Sequence, residues 1–340
     1  MKPATRKLLN FLFLFFTLGV VLYLGLSGND LEDLAQALKT FSPVYLLLCT
    51  ACWMVYVLMD ALSVHCFLRR QGHPIRLRDS IHAAIVGLYY CNITPGASGG
   101  QPMEMYCLSK KNVPIGVSGS ALAVKFVCFQ IILLITGAVL WLTGAEFVSN
   151  HTQGVVWLIV LGYVFNFFSI SGVILMAINR KAVLWVIDKC INIGVKLRIC
   201  KDPEASRQRW TDHCESFLGS FRMLLRTPKD LLIQCAIAFS ELMVQMLIIL
   251  CIYHAMGFSG PTPMELITIG VLLYISASYT PLPGASGAQE GGFALFFKNI
   301  FPDASLFVAL LIWRFFTYYL TILVGAVVTT VESLHGIWKK

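Results

Sequence analysis

Apolar residues run along this chain in blocks too long and too continuous for the core of a water-soluble domain. Leu8 to Leu26, Pro43 to Leu68, Pro114 to Leu142, Val155 to Ile178, Leu231 to Met256 and Ala304 to Val331 each reach the roughly 20 residues that a helix needs to cross about 30 Å of hydrocarbon. Hydrocarbon offers no partner to a backbone N–H or C=O, so these blocks predict helices. The alternating segments that would build a membrane β-barrel are missing. Two further apolar stretches are interrupted. Ile81 to Leu108 breaks at Pro95-Gly96-Ala97-Ser98-Gly99-Gly100, and Leu266 to Phe297 breaks at Pro281-Leu282-Pro283-Gly284-Ala285-Ser286-Gly287. Each predicts either one kinked span or a broken-helix hairpin that enters and leaves on the same face.

Composition agrees: 57% of the 340 residues are hydrophobic, 13% are charged and the mean hydropathy is +0.73, far from the usage of a soluble domain. The first block follows Lys2, Arg6 and Lys7. Its apolar run exceeds that of a secretory signal, and Ser27-Gly28-Asn29-Asp30 is a poor cleavage site, so it reads as a retained signal anchor. Of the eleven cysteines, Cys49, Cys52, Cys128, Cys235 and Cys251 lie inside apolar blocks without ligand-like spacing. They read as small apolar side chains and imply neither a disulfide frame nor a metal; no cofactor is expected.

The net charge of +8 sorts by membrane side, which speaks against nucleic acid as a partner. With a cytoplasmic N-terminus and both broken stretches re-entrant, 22 of the 26 basic residues fall on the cytoplasmic side. Lys39 and Lys298 then lie outside, and Lys125 and Arg314 within the membrane. If either broken stretch crossed alone, this sorting would collapse. The predicted fold is therefore all-α integral membrane, with six full transmembrane helices, two re-entrant hairpins and both termini cytoplasmic.

The two breaks are copies. Pro95-Gly-Ala-Ser-Gly-Gly-Gln101 recurs as Pro283-Gly-Ala-Ser-Gly-Ala-Gln289 at an offset of 188, which also carries Lys110 onto Lys298, Pro114 onto Pro302 and Gly137-Ala138-Val139 onto Gly325-Ala326-Val327. A register shared over such a distance predicts duplicated halves. One hairpin enters from each side, so the repeat is inverted, the architecture of alternating-access transporters. The expected domains are an N-terminal anchor with an external segment over 1–42, a first repeat over 43–179 with its hairpin near 81–111, and a second repeat over 230–340 with its hairpin near 264–299. Between the repeats, 180–229 reads either as a basic amphipathic elbow lying on anionic lipid or as a plain linker.

Polar residues inside the apolar blocks are the candidates for chemistry. In each turn Pro95, Gly96 and Ser98, or Pro283, Gly284 and Ser286, take the backbone out of helical geometry, which membrane depth tolerates only if the turn is buried or lines a wet cavity. A half-helix starting near Gly99 or Gly287 would aim free N–H groups at that cavity and suit an anion; close packing of small residues is the other reading. Lys125 lies 11 residues past Pro114 and Arg314 lies 12 past Pro302, placing both about 16–18 Å into their helices. A lone charge there costs from about 2.5 to over 10 kcal/mol. Both therefore read either as halves of internal salt bridges or as a cationic site for an anionic headgroup. Glu104 and Glu290 stand beside Gln101 and Gln289 in the outgoing hairpin arms; Glu241 shares a stripe with Gln234 and Gln245, and Asp60 with Tyr56 and Ser63. These faces must point inward. Such carboxylates suit binding an amine, relaying a proton or neutralising Lys125 or Arg314.

Taken together, the doubled Pro-Gly-Ala-Ser-Gly turns, each followed by Gln and a nearby Glu and then by a Pro-led helix with a mid-membrane cation, resemble the transmembrane region of the lysylphosphatidylglycerol synthetase/flippase family, the multiple peptide resistance factors, over roughly residues 5–335. The resemblance implies translocation of a phospholipid, with aminoacyl-phosphatidylglycerol as one candidate cargo, in a bacterial plasma membrane, a flippase or scramblase rather than an enzyme, with a separate lipid-modifying synthase or a second copy as candidate partners. The first motif separates Gln101 from Glu104 by Pro102 and Met103, so the two glutamates are not strictly equivalent. Two competitors are a secondary transporter of a small polar solute and an intramembrane polyprenyl-diphosphate phosphatase. The latter lacks the arginine and paired glutamates that its turns would need.

Overall fold

The computed structural model describes residues 41–152, 154–179, 227–278 and 280–337, with isolated positions at 39 and between 181 and 219. The anchor block Leu8 to Leu26 and most of the 180–229 elbow lie outside the described residues. Every element among the described residues is helical. In chain order they are α1 (Val44–Arg70), α2 (Leu77–Ile93), α3 (Gly100–Ser109), α4 (Ile115–Thr143), α5 (Ala145–His151), α6 (Val156–Ile178), α7 (Pro228–Ala255), α8 (Pro263–Ala277), α9 (Ala288–Phe297), α10 (Asp303–Arg314) and α11 (Leu320–Ile337). Five runs are long and apolar enough to cross a membrane: α1, α4, Val156–Leu175 in α6, α7, and Ser305–Glu332 through α10 and α11. They correspond to five of the six blocks read from the sequence.

Helix starts follow from local chemistry. Pro43, Pro114 and Pro302 stand at N-caps, and Pro228 and Pro263 open α7 and α8, where proline's missing N–H costs nothing because first-turn amides have no partner within the helix. Thr262 adds a capping box: its N–H donates to Glu265 Oε2 at 2.6 Å, and its hydroxyl accepts from the Glu265 N–H at 3.3 Å.

Packing turns polar stripes inward and apolar ones outward. α1 and α7 lie against each other through the faces anticipated from their spacing. Ser63 Oγ donates to Gln234 Oε1 at 2.6 Å, Gln234 Nε2 donates back to the Ser63 carbonyl at 2.9 Å, and Asp60 and Glu241 are buried on the same stripes. The reverse faces show Leu47, Met54, Leu232 and Phe239 to the surroundings. α6 packs on α4 and α8 and leaves Phe167 and Phe168 exposed. Its Gly162 lies so close to the Ile275 backbone that a methyl group would overlap it.

The two interrupted stretches are helix–turn–helix hairpins. α2 turns through Pro95–Ala97 and returns as α3, and α8 turns through Pro283–Ala285 and returns as α9, each pair of arms packed together. Gly96 and Gly284 both adopt left-handed backbone (φ +57° and +59°), as do Ala97 and Ala285 (φ +55° and +50°). This shared conformation is what the repeated sequence encodes. The tips touch: the Gly96 N–H donates to the Pro281 carbonyl at 3.0 Å, and Tyr318 Oη donates to the Asn92 carbonyl at 3.4 Å. One apolar core, with Phe67, Leu68, Leu108 and Leu122, surrounds the first hairpin, and another, with Leu242, Ile269, Phe293 and Phe297, surrounds the second.

Candidate functional site

Beside the meeting point of the tips is a cavity of about 450 Å³ whose wall includes Gly96, Gly284, Gln289 and Arg314 together with Tyr56, Gln245 and Tyr274. Arg314 is its buried cation, 4% exposed at the end of α10, where the helix passes into a π-helical turn over Phe315–Tyr319. Such turns displace side chains from α-helical register and recur at functional positions. Arg314 Nε donates to Glu290 Oε1 at 2.7 Å, and Nη2 donates to the Gly284 carbonyl at 3.2 Å and to Ser286 Oγ at 3.3 Å. The guanidinium lies over the Tyr318 ring at 4.5 Å, a cation–π contact. Gly284 is required here, since a methyl at that position would overlap the same ring.

The start of α9 departs from the expectation of free amides. The Gly287 N–H donates to Glu290 Oε2 at 2.6 Å, so one carboxylate caps the helix and pairs with Arg314. In the first hairpin the Gly99 N–H donates to Thr94 Oγ1 at 2.8 Å. The physical reason is the same in both: a side chain five residues back or three ahead reaches the first amide before any ligand.

A second charged group lies in the first half. Lys125 Nζ, on α4, donates to Asp60 Oδ2 at 3.0 Å and to both Glu104 oxygens at 3.1 and 3.0 Å. Asp60 comes from α1 and Glu104 from α3, while Glu241 on α7 interacts electrostatically with all three. Lys125 is not part of the cavity wall, which Tyr56 and Cys91 close on this side. Each hairpin arm is thus tied to a later helix by a cation–carboxylate pair, part-buried at Lys125 and buried at Arg314. The registers differ: Glu104 to Glu290 is an offset of 186, and Lys125 to Arg314 one of 189.

The remaining predicted residues divide between cavity and surface. Gly96, Gly284 and Gln289 line the cavity, Ser286 and Glu290 hold Arg314, and Pro283 supports the turn by accepting from Ser286 Oγ at 2.9 Å. Pro95, Ser98 and Gln101 are exposed outside that wall. Sequence reasoning missed Tyr318, Trp313, Gln130, Tyr274 and Thr317. For Tyr318 a signal existed: an aromatic ring four residues after a mid-membrane cation. Trp313 and Thr317 flank Arg314 in the chain, whereas Gln130 and Tyr274 join the wall only when α4 and α8 pack beside it.

The model of the family described as lysylphosphatidylglycerol synthase TM region matches residues 8–325. The chain belongs to this family. It is also similar to an UPF0104 membrane protein of Archaeoglobus fulgidus, 26% identical over 306 residues that cover 84% of each chain. An UPF0104 membrane protein of Methanothermobacter thermautotrophicus is 23% identical over 292 residues, covering 82% of this chain and 81% of that one. This member of the lysylphosphatidylglycerol synthase TM-region family is thus a multi-pass membrane protein, in keeping with its five membrane-length helices.

Proposed function

We propose that the protein moves a phospholipid, or another lipid with an anionic headgroup, between leaflets of a plasma membrane. The observation that carries this reading is Arg314, a buried guanidinium on the wall of a cavity where two broken-helix tips meet. A cavity of about 450 Å³ admits a headgroup while acyl chains remain in lipid. A guanidinium already held by one carboxylate retains donors for phosphate, and it offers them in the planar geometry that phosphate oxygens match. In this reading the two hairpins are re-entrant and dip in from opposite faces, the 8–26 block supplies a sixth span, both termini are cytoplasmic, and rocking of inverted halves exposes Arg314 to each leaflet in turn. Lys125 serves as the internal tie that holds the first hairpin. The chain performs no bond-making chemistry in this scheme, and a separate synthase or a second copy remains a natural partner.

The test is reconstitution in liposomes carrying fluorescent phospholipids, with dithionite quenching of the outer leaflet. Wild-type protein should accelerate leaflet exchange, and Arg314→Ala should reduce the rate at least tenfold, with Arg314→Lys intermediate. Wild-type vesicles that match protein-free ones across phosphatidylglycerol, phosphatidylethanolamine and phosphatidylcholine would sink the reading.

A further inference from the structure

Around Lys125 the charges do not balance. Asp60, Glu104 and Glu241 are 4–6% exposed, and Lys125 is the cation paired with the first two among the described residues. Asp60 and Glu104 are bound to its ammonium. Glu241 makes no hydrogen bond or ion pair with a described residue, yet it lies in the field of both carboxylates. Fully ionised, the group would hold three negative charges against one positive, in surroundings where a single uncompensated charge is already expensive.

The groups that face this cluster do not supply the missing charge. Tyr56 on α1, Cys91 on α2 and Tyr274 on α8 are neutral neighbours. His65, further along α1, is engaged with Ser80, and Arg314 is committed to Glu290. Nor are the carboxylates spaced for a metal: among the described residues no three such ligands could hold one. A proton shared within the trio is the compensation that the geometry leaves. Tyr56 and Cys91 line the headgroup cavity and lie in the electrostatic field of the cluster, which places them on the side from which a proton would come. The four groups also come from α1, α3, α4 and α7, with Glu104 riding on the hairpin arm. Protonating the trio weakens the grip of Lys125 on that arm, and deprotonating it restores the grip.

We propose that Asp60, Glu104 and Glu241 share an exchangeable proton drawn from the cavity, and that its uptake and release couple lipid movement to a proton gradient. The coupling, though not the shared proton, rests on the translocation reading above.

Infrared difference spectroscopy on the purified full-length protein at neutral pH tests the proton directly. A protonated-carboxyl carbonyl band that shifts in D2O and is lost in Glu241→Gln or Asp60→Asn is expected; two variants are used in case one fails to fold. Absence of that band in the wild type, or its persistence unchanged in both variants, overturns the proposal. In sodium-free proteoliposomes, an imposed pH gradient should change the wild-type exchange rate several-fold, and the ratio with and without gradient should fall to about one in Glu241→Gln. Exchange that depends on Arg314 but ignores the pH gradient, or follows a sodium gradient instead, overturns the coupling and leaves translocation standing. Absence of exchange in every vesicle removes translocation and coupling together, and the infrared result still decides the proton.

Discussion

At Arg314 one side chain satisfies demands that usually need several. Its guanidinium is held by Glu290, the Gly284 carbonyl, Ser286 and the Tyr318 ring, and the same carboxylate caps α9. Removing one partner of such a buried pair leaves the other charge stranded, so Glu290→Ala should lower stability by about 3–5 kcal/mol. The double change Arg314→Met with Glu290→Met should cost less than Glu290→Ala alone; thermal unfolding in detergent measures both. Gly284→Ala should be more damaging than Gly72→Ala. Both positions have positive φ (+59° and +77°), but only the first would also push a methyl into Tyr318. Equal melting temperatures for these two variants would contradict the packing described. The sequence announced Arg314 and Glu290 separately, through their depth and their neighbouring motifs. It offered their pairing only as one reading among several, because they stand 24 positions apart in the chain and only the packing of α9 against α10 brings them together.

Among elements, the first hairpin is held at both ends. At the tips the Gly96 amide meets Pro281; at the open end of the first hairpin Lys111 pairs with Asp79 at 2.8 Å and Lys110 with Glu332 of α11 at 3.0 Å. The hydrogen bond from Lys111 holds the Asp79 carboxyl below its usual range. A depressed carboxylate contributes stability that is present above its unfolded pKa, near 3.9, and lost as pH falls through the folded value. Wild type and Asp79→Asn should therefore differ at neutral pH by a few tenths of a kcal/mol, the small size reflecting an exposed pair. They should converge in strong acid, and a pH series of melting curves reads this out. At the second hairpin Thr262→Ala removes one half of the capping box and should cost about 0.5–2 kcal/mol, with Thr262→Ser restoring most of it. The two breaks, at Pro95–Ala97 and Pro283–Ala285, were legible because proline and glycine punctuate them. The π-helical turn after Arg314 was not, since Phe315-Phe-Thr-Tyr-Tyr319 carries no breaker and reads as ordinary helix.

For the whole molecule, side-specific labelling checks the inverted arrangement. In a cysteine-depleted background, cysteines replacing Lys110 and Lys298 should react with impermeant thiol reagents from opposite sides of sealed vesicles; labelling from one side would remove the inverted pair of hairpins. The sequence by itself determined that the chain is helical and membrane-embedded, where its apolar runs break, and that the breaks are duplicated. These follow from terms that act locally: a backbone without water must bond within its own segment, and proline or glycine sets the turn wherever it stands. Only tertiary structure decided that the two tips touch and that Gln289 faces the cavity while Gln101 does not. It also decided that Lys125 closes on Asp60 and Glu104 behind the cavity wall while Arg314 lines it. Those outcomes depend on how whole helices rotate and lean against one another. A displacement of one residue turns a side chain by about 100°, and repeated motifs fix the turns without fixing that rotation.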